Sequence, residues 1–257
     1  SFFRPDGGSR SQDLGAFGGT VVTPRDSTYD FRDLSSTGQR TVAGLIAGTT
    51  TGNIIVKDVQ GAADATVNGS AGLASPKIGI IGLTNLLGTG HVDANVDDAV
   101  ELAETTGDLR VGLVRSRGSD VRLSALDASI VDAKAGDGAV PVGDTAPDGV
   151  AVSVSLRAAQ GGIGSDANFL EIDSSNSDGT PKDGLLDAQA LGDIRITETV
   201  ADLRLKLVES AEGNVSLVTL GGDIVDGRVG AGLVADAAVI LANSVDLQAN
   251  DGSMGQA

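Results

Sequence analysis

From Thr41 onward, apolar and polar residues alternate in short runs punctuated by Gly, Asn or Asp. Examples are Asn53-Ile54-Ile55-Val56-Lys57, Val100-Glu101-Leu102, Leu109-Arg110-Val111, Val121-Arg122-Leu123, Val152-Ser153-Val154-Ser155-Leu156, Ile194-Arg195-Ile196, Val215-Ser216-Leu217 and Val245-Asp246-Leu247. A period of two, rich in β-branched residues and bounded by turn formers, predicts strands. The Ala-containing runs, 231–242 and 187–191, lack caps and the i, i+3, i+4 order of a helix face. An all-β chain is expected.

Residues 1–45 break the texture. They hold four of the five Phe, the single Tyr and much Arg, Ser, Gly and Pro, and no period persists. Two readings stand: an irregular cap anchored by Phe2, Phe3, Phe17, Tyr29 and Phe31, or a linker. The expected division is therefore an irregular segment over 1–45 and a repeat array over 46–257.

The array duplicates itself. Gly184–Arg228 falls without a gap on Gly90–Lys134, 94 positions earlier, with 17 of 45 pairs identical. Asp108/Asp202, Leu109/Leu203, Arg110/Arg204 and Ile130-Val131-Asp132/Ile224-Val225-Asp226 are among them. Internal repeats decide architecture. Within each copy, Asp or Asn opens strands at Asp108 and Asp120, then at Asp193, Asp202 and Asn214. Steps of 12, and of 9 then 12, define a frame of 21 residues. Three short strands and three turns fill such a frame, so the expected fold is a parallel β-helix (β-solenoid) with coils of about 21 residues. Leu109, Val121, Leu203 and Val215 should then point inward, and Arg110, Arg122, Arg204 and Ser216 outward. A tandem of Ig-type sandwiches, with domains near the length of the long repeat, is the alternative. The absence of Trp and Cys and the shorter inner frame weigh against it.

Composition refines this picture. Aromatics are 2% of 257 residues, so the core must be built from Val, Ile, Leu and Ala. The 37 Gly lack the collagen period and read as turn residues. Net charge is −17, and 29 of the 35 acids are Asp, a turn former that is poor in helices. That field repels nucleic acid and anionic membranes and attracts divalent cations, so neither nucleic acid nor membrane insertion is expected. No apolar run is long enough to span a bilayer. With no Cys, disulfides and thiolate metal sites are impossible, which fits export to an oxidising space. No initiator Met or signal leader opens the chain and it stops inside what reads as another repeat, so it is expected to be a segment of a larger protein.

The cadence ETTGDLRVGLV…SDVRLSALDASIVDA over 104–133, looser over 198–227, resembles large repetitive bacterial surface proteins of the filamentous-haemagglutinin-like type. So does Leu156-Arg157-Ala158-Ala159-Gln160-Gly161-Gly162-Ile163-Gly164 followed by 169–173, with a counterpart 91 positions later at 247–255. The resemblance covers about residues 75–257. It implies a right-handed parallel β-helix in a long secreted or surface-attached protein, acting as stalk, adhesin, filament or matrix component. Extracellular or cell-surface placement follows from the same resemblance. Its partners would be further repeats of the parent chain, copies of itself, or host and cell-surface glycans or proteins.

For chemistry the best candidate is the loop 173–183. Oxygen-bearing side chains at alternating positions with a Gly turn suit a hard cation, making Asp173, Asn176, Asp178 and Asp183 candidate calcium ligands. The match is incomplete, since Ser174 and Leu185 occupy positions where ligands are expected; a hydrated acidic loop is the simpler reading. Turn Asp such as Asp108 and Asp202 are expected to bond the backbone of the next coil. Asp132 and Asp226 end their strands at matching places. The lone His91 aligns with Leu185, an apolar counterpart, and so reads as an ordinary coil residue. No nucleophile elbow, zinc pair or phosphate loop is present, and no enzyme is expected. The alternative is an extracellular β-helix enzyme acting on polysaccharide, although so few aromatics offer no sugar-stacking platform.

Overall fold

Alternation becomes strand throughout the described residues. The structure, a computed structural model, describes the strands within residues 2–57, and then residues 78–84, 86, 90–96, 99–116, 119–133, 152–174, 184–228 and 237–255. Seven strands lie before residue 58: β1 (Phe2–Phe3), β2 (Ser9–Arg10), β3 (Val21–Thr23), β4 (Ser27–Asp30), β5 (Arg40–Leu45), β6 (Gly48–Thr50) and β7 (Ile54–Lys57). Fifteen follow: β8 (Ile78–Thr84), β9 (Val92–Val96), β10 (Val100–Glu104), β11 (Leu109–Ser116), β12 (Val121–Ala125), β13 (Ile130–Asp132), β14 (Val154–Ala158), β15 (Leu170–Ile172), β16 (Leu186–Ala190), β17 (Ile194–Glu198), β18 (Leu203–Ser210), β19 (Val215–Thr219), β20 (Ile224–Asp226), β21 (Ile240–Leu241) and β22 (Val245–Ala249). Among the described residues there is no helix.

Apart from the antiparallel pair β1–β2, the strands pair in parallel. One sheet runs β5-β8-β10-β12-β14-β16-β18, with β20 and β21 both on β18. A second runs β4-β7-β9-β11-β13, a third β15-β17-β19-β22, and single bridges through Ile163 join β13 to β17. The long strands β11 and β18 turn corners. β18 pairs with β20 through Leu203–Leu205 and with β21 through Val208 and Glu209, with a register shift against β16 between Leu186 and Asp187.

The expected 21-residue frame is present at three turns, while other passes are longer: Val121 pairs with Val154, 33 residues on, and Val154 with Leu186, 32 residues on. Asp108 reaches Ser129, Asp193 reaches Asn214 and Asp202 reaches Asp223, each pair 21 residues apart. In each case the Asp carboxylate accepts the partner's backbone N–H at 2.7–3.1 Å. The residue after the Asp donates its own N–H to the partner's carbonyl: Leu109 to Ser129, Ile194 to Asn214, Leu203 to Asp223. The N–H and the C=O of the turn residue are thus both satisfied by the previous pass, where a lost bond would leave a half-buried amide unpaired.

Inward positions stack into apolar ladders. Val100, Val121, Val154 and Leu186 share one line, and Leu102, Leu123, Leu156 and Ala188 the next; all are fully or almost fully buried. Leu109, Val121, Leu203 and Val215 point inward as expected, at 0–1% exposure, while Arg122 is exposed. Each buried Val or Leu contributes about 1.5–3 kcal/mol. Among the described residues the core contains Val, Ile, Leu and Ala and no aromatic side chain.

The duplicated block does not stand on its own counterpart. β10 and β12 belong to the first sheet, but β17 and β19, their equivalents 94 residues later, belong to the third. Conversely β9, β11 and β13 lie in the second sheet and their equivalents β16, β18 and β20 in the first. The 94-residue repeat therefore returns the chain to a different sheet. The apolar alternation is similar enough on each sheet for the ladders to continue regardless. The shorter match, 91 residues apart, keeps its local structure. Ile163 bridges Ile130 and Met254 bridges Ile224, and the Gly that follows each, Gly164 and Gly255, donates to the same bridge residue and has positive φ.

Candidate functional site

Two places concentrate polar chemistry among the described residues. The first is inside. β10 and β17 both end on an inward-facing Glu, Glu104 and Glu198, each with 0% exposure. Glu104 accepts from the Thr84 hydroxyl at 2.7 Å and the Leu86 N–H at 2.9 Å. Glu198 accepts from both the N–H and the hydroxyl of Ser174 at 2.9 Å, and from Val200 N–H at 3.4 Å. The Thr after each Glu anchors the same corner: Thr105 donates N–H and hydroxyl to Thr84 O, and Thr199 donates both to Ile172 O. The repeated Glu-Thr pair is thus a repeated piece of structure.

Burial dominates the titration of both glutamates. Desolvation raises the Glu104 carboxyl, opposed by Thr84 and Leu86. Desolvation together with the Asp173 charge pushes Glu198 up to about 8, against the hydrogen bonds from Ser174 and Val200. At neutral pH Glu198 therefore holds its proton. Asp173 itself is fully buried, immediately before Ser174. Of the four candidate calcium ligands only Asp173 is described; Asn176, Asp178 and Asp183 lie outside the described residues. No group of three or more His, Cys, Asp or Glu that could hold a metal occurs among the described residues. His91 is half-buried.

The second place is an open groove on the outer surface of the third sheet. Its volume is about 300 Å³, and it is lined by Asp166, Phe169, Arg195, Asn214, Ser216, Ser244 and Asp246, among others. Arg195, Ser216 and Asp246 are register partners on three adjacent strands. Arg195 is held from several directions: Nε to Asp166 Oδ1 at 2.7 Å, one terminal nitrogen to Asp193 Oδ2 at 3.0 Å, the other to the carbonyls of Ile194 and Asn214. Its side chain keeps only 12% exposure.

The segment 164–169, between Ile163 and β15, forms the groove's rim. Ser165 and Asn168 exchange backbone hydrogen bonds across it. Gly164, at φ +68°, starts the excursion, and a Cβ there would lie 2.2 Å from Arg195 O, so only Gly fits. Of these residues, the sequence pattern placed Arg195, Ser216 and Asp246 on strands and gave no role to Asp166, Phe169 or Glu198. The segment has no period to read. The signal for Glu198 was available: with only six Glu in the chain, two fall on the same place in the repeat, at an inward strand position.

At the far end of β20, Asp226 is clamped by its neighbour. Arg228 donates Nε to Oδ1 and a terminal nitrogen to Oδ2, both at 2.9 Å, and its N–H to Oδ1 at 3.0 Å. These bonds lower the Asp226 carboxyl to about 2. The chain stands apart in comparison: no family model, no curated protein and no solved structure matches it.

Proposed function

We propose that the chain is a β-solenoid segment of a large secreted or cell-surface repeat protein, serving as a stalk whose outer surfaces are available for adhesion. One observation carries this reading. The parallel ladders continue from pass to pass, with register shifts at β9–β11 and β16–β18, although the 94-residue repeat places equivalent strands in different sheets. Stacking of this kind depends on a generic apolar alternation and a shared Asp turn, and it can be lengthened without a new interface. Each added pass lengthens the stack by about 4.8 Å. A resemblance to filamentous-haemagglutinin-like repeats agrees with the cadence of 104–133 and 198–227 and is part of the same proposal.

The test is electron microscopy of the segment beside a tandem fusion of two copies. The stalk reading expects rods of constant width, the tandem about twice as long. Two globules on a string would overturn it. Depolymerisation of an acidic polysaccharide by the purified chain would favour the alternative of an extracellular β-helix enzyme.

A further inference from the structure

The only aromatic residue after position 31 is Phe169. It is half-buried, lies outside the apolar core and lines the open groove. Among the described side chains, the core is aliphatic and the one aromatic ring stands beside carboxylates. From this we infer that the groove binds a neutral oligosaccharide, with Phe169 against a sugar ring and Asp166, Asp246 and Asn214 reading its hydroxyls. The inference deepens the adhesive part of the function proposed above and rests on it; the stalk part does not depend on it.

Several features of the groove favour that class. Phe169 offers an apolar face to the C–H side of a pyranose, so a single ring supplies the stacking platform that the low aromatic content was expected to lack. Asp166 is 84% exposed, so one of its oxygens can accept from a hydroxyl while the other holds Arg195. The Ser244 hydroxyl donates to Asn214 Oδ1 at 2.7 Å, which leaves the amide nitrogen as the donor side of Asn214. A carboxylate, an amide donor and Ser216 then meet the mixed donor and acceptor demand of a sugar. Adjacent parallel strands stand about 4.8 Å apart, so Arg195 to Asp246 spans about 10 Å, room for more than one ring.

Charge narrows the choice. The Arg195 guanidinium is committed to Asp166 and Asp193, and Asp246 adds a further negative charge. The groove is therefore net negative and repels sulfated or uronic-acid chains. The site is also prebuilt: Gly164 is locked against Arg195 O, and the rim is closed by the Ser165–Asn168 bonds. Little ordering is left for the ligand to impose.

Saturation-transfer NMR and calorimetry with cellotriose, maltotriose and triacetylchitotriose test the proposal, with a heparin tetrasaccharide as the anionic control. At least one neutral trisaccharide should bind saturably, with Kd on the order of 1 mM or tighter. Phe169→Ala and Asp246→Asn should each weaken it by about tenfold or more, and the heparin fragment should not bind. Phe169→Leu, which keeps apolar bulk without a flat ring, should lose affinity while retaining the wild-type melting midpoint. The proposal fails if none of the three neutral sugars binds, if binding is indifferent to Phe169→Leu and Asp246→Asn, or if the heparin fragment binds in their place. Such a failure would leave the stalk reading intact, because that is judged by rod length.

Discussion

Glu198 ends its strand facing inward, where the alternation would otherwise place an aliphatic side chain, and burial keeps it protonated near neutrality. Its folded-state value of about 8 lies above the ordinary 4.5, so the folded chain holds a proton that the unfolded chain has released. That contribution to stability is full below about pH 4.5, declines as pH rises through the window to about 8, and is gone above it. Glu104, raised by the same cause, adds to the trend. Thermal melts from pH 5 to 9 should therefore show a falling midpoint, and Glu198→Gln, which mimics the neutral form, should flatten the profile. An equal slope in wild type and variant would refute this assignment. At the rim, Gly164→Ala should cost about 1–3 kcal/mol, through both its positive φ and the close approach of Arg195 O. Chemical denaturation measures that cost. Sequence could mark Glu198 only through its recurrence with Glu104 at an inward strand position, and a lone Gly reads as any turn.

At the scale of the strand, stability comes from the ladders and the Asp turns. Leu156→Ala, between Leu123 and Ala188 in its line, should lower stability by about 2–5 kcal/mol. Arg122→Ala, on the exposed side of the neighbouring rung, should stay within about 0.5 kcal/mol despite its ion pair with Asp120. Asp202→Ala removes the acceptor for Asp223 N–H and should cost about 1–2 kcal/mol. Urea titration of the three variants orders them. The strands, their inward faces and the 21-residue frame were legible beforehand because each follows from a period: two for the side chains, 21 for Asp108, Asp193 and Asp202. The turn role expected for Asp108 and Asp202 holds in their bonds to Ser129 and Asp223. What the periods could not show is the sheet in which each strand lies. Val100 and Ile194 look equivalent in sequence, yet one stacks under Val121 and the other under Val215 in a different sheet. Both surroundings are aliphatic, so a one-dimensional pattern carries no mark that separates them.

In the whole molecule, distant parts of the chain come together in one parallel stack. Ala103, Ser124, Arg157, Gln189 and Glu209 follow one another on five adjacent strands of the first sheet. With about 4.8 Å per step, Ala103 and Glu209 should stand about 19 Å apart despite the length of chain between them. The absence of Cys makes site-directed labelling unambiguous. The decisive measurement is the electron–electron distance between spin labels at Ala103→Cys and Glu209→Cys. A single narrow distribution near 20 Å is the predicted result. A broad distribution, or one centred beyond about 35 Å as expected for two separate domains in tandem, would contradict the stack.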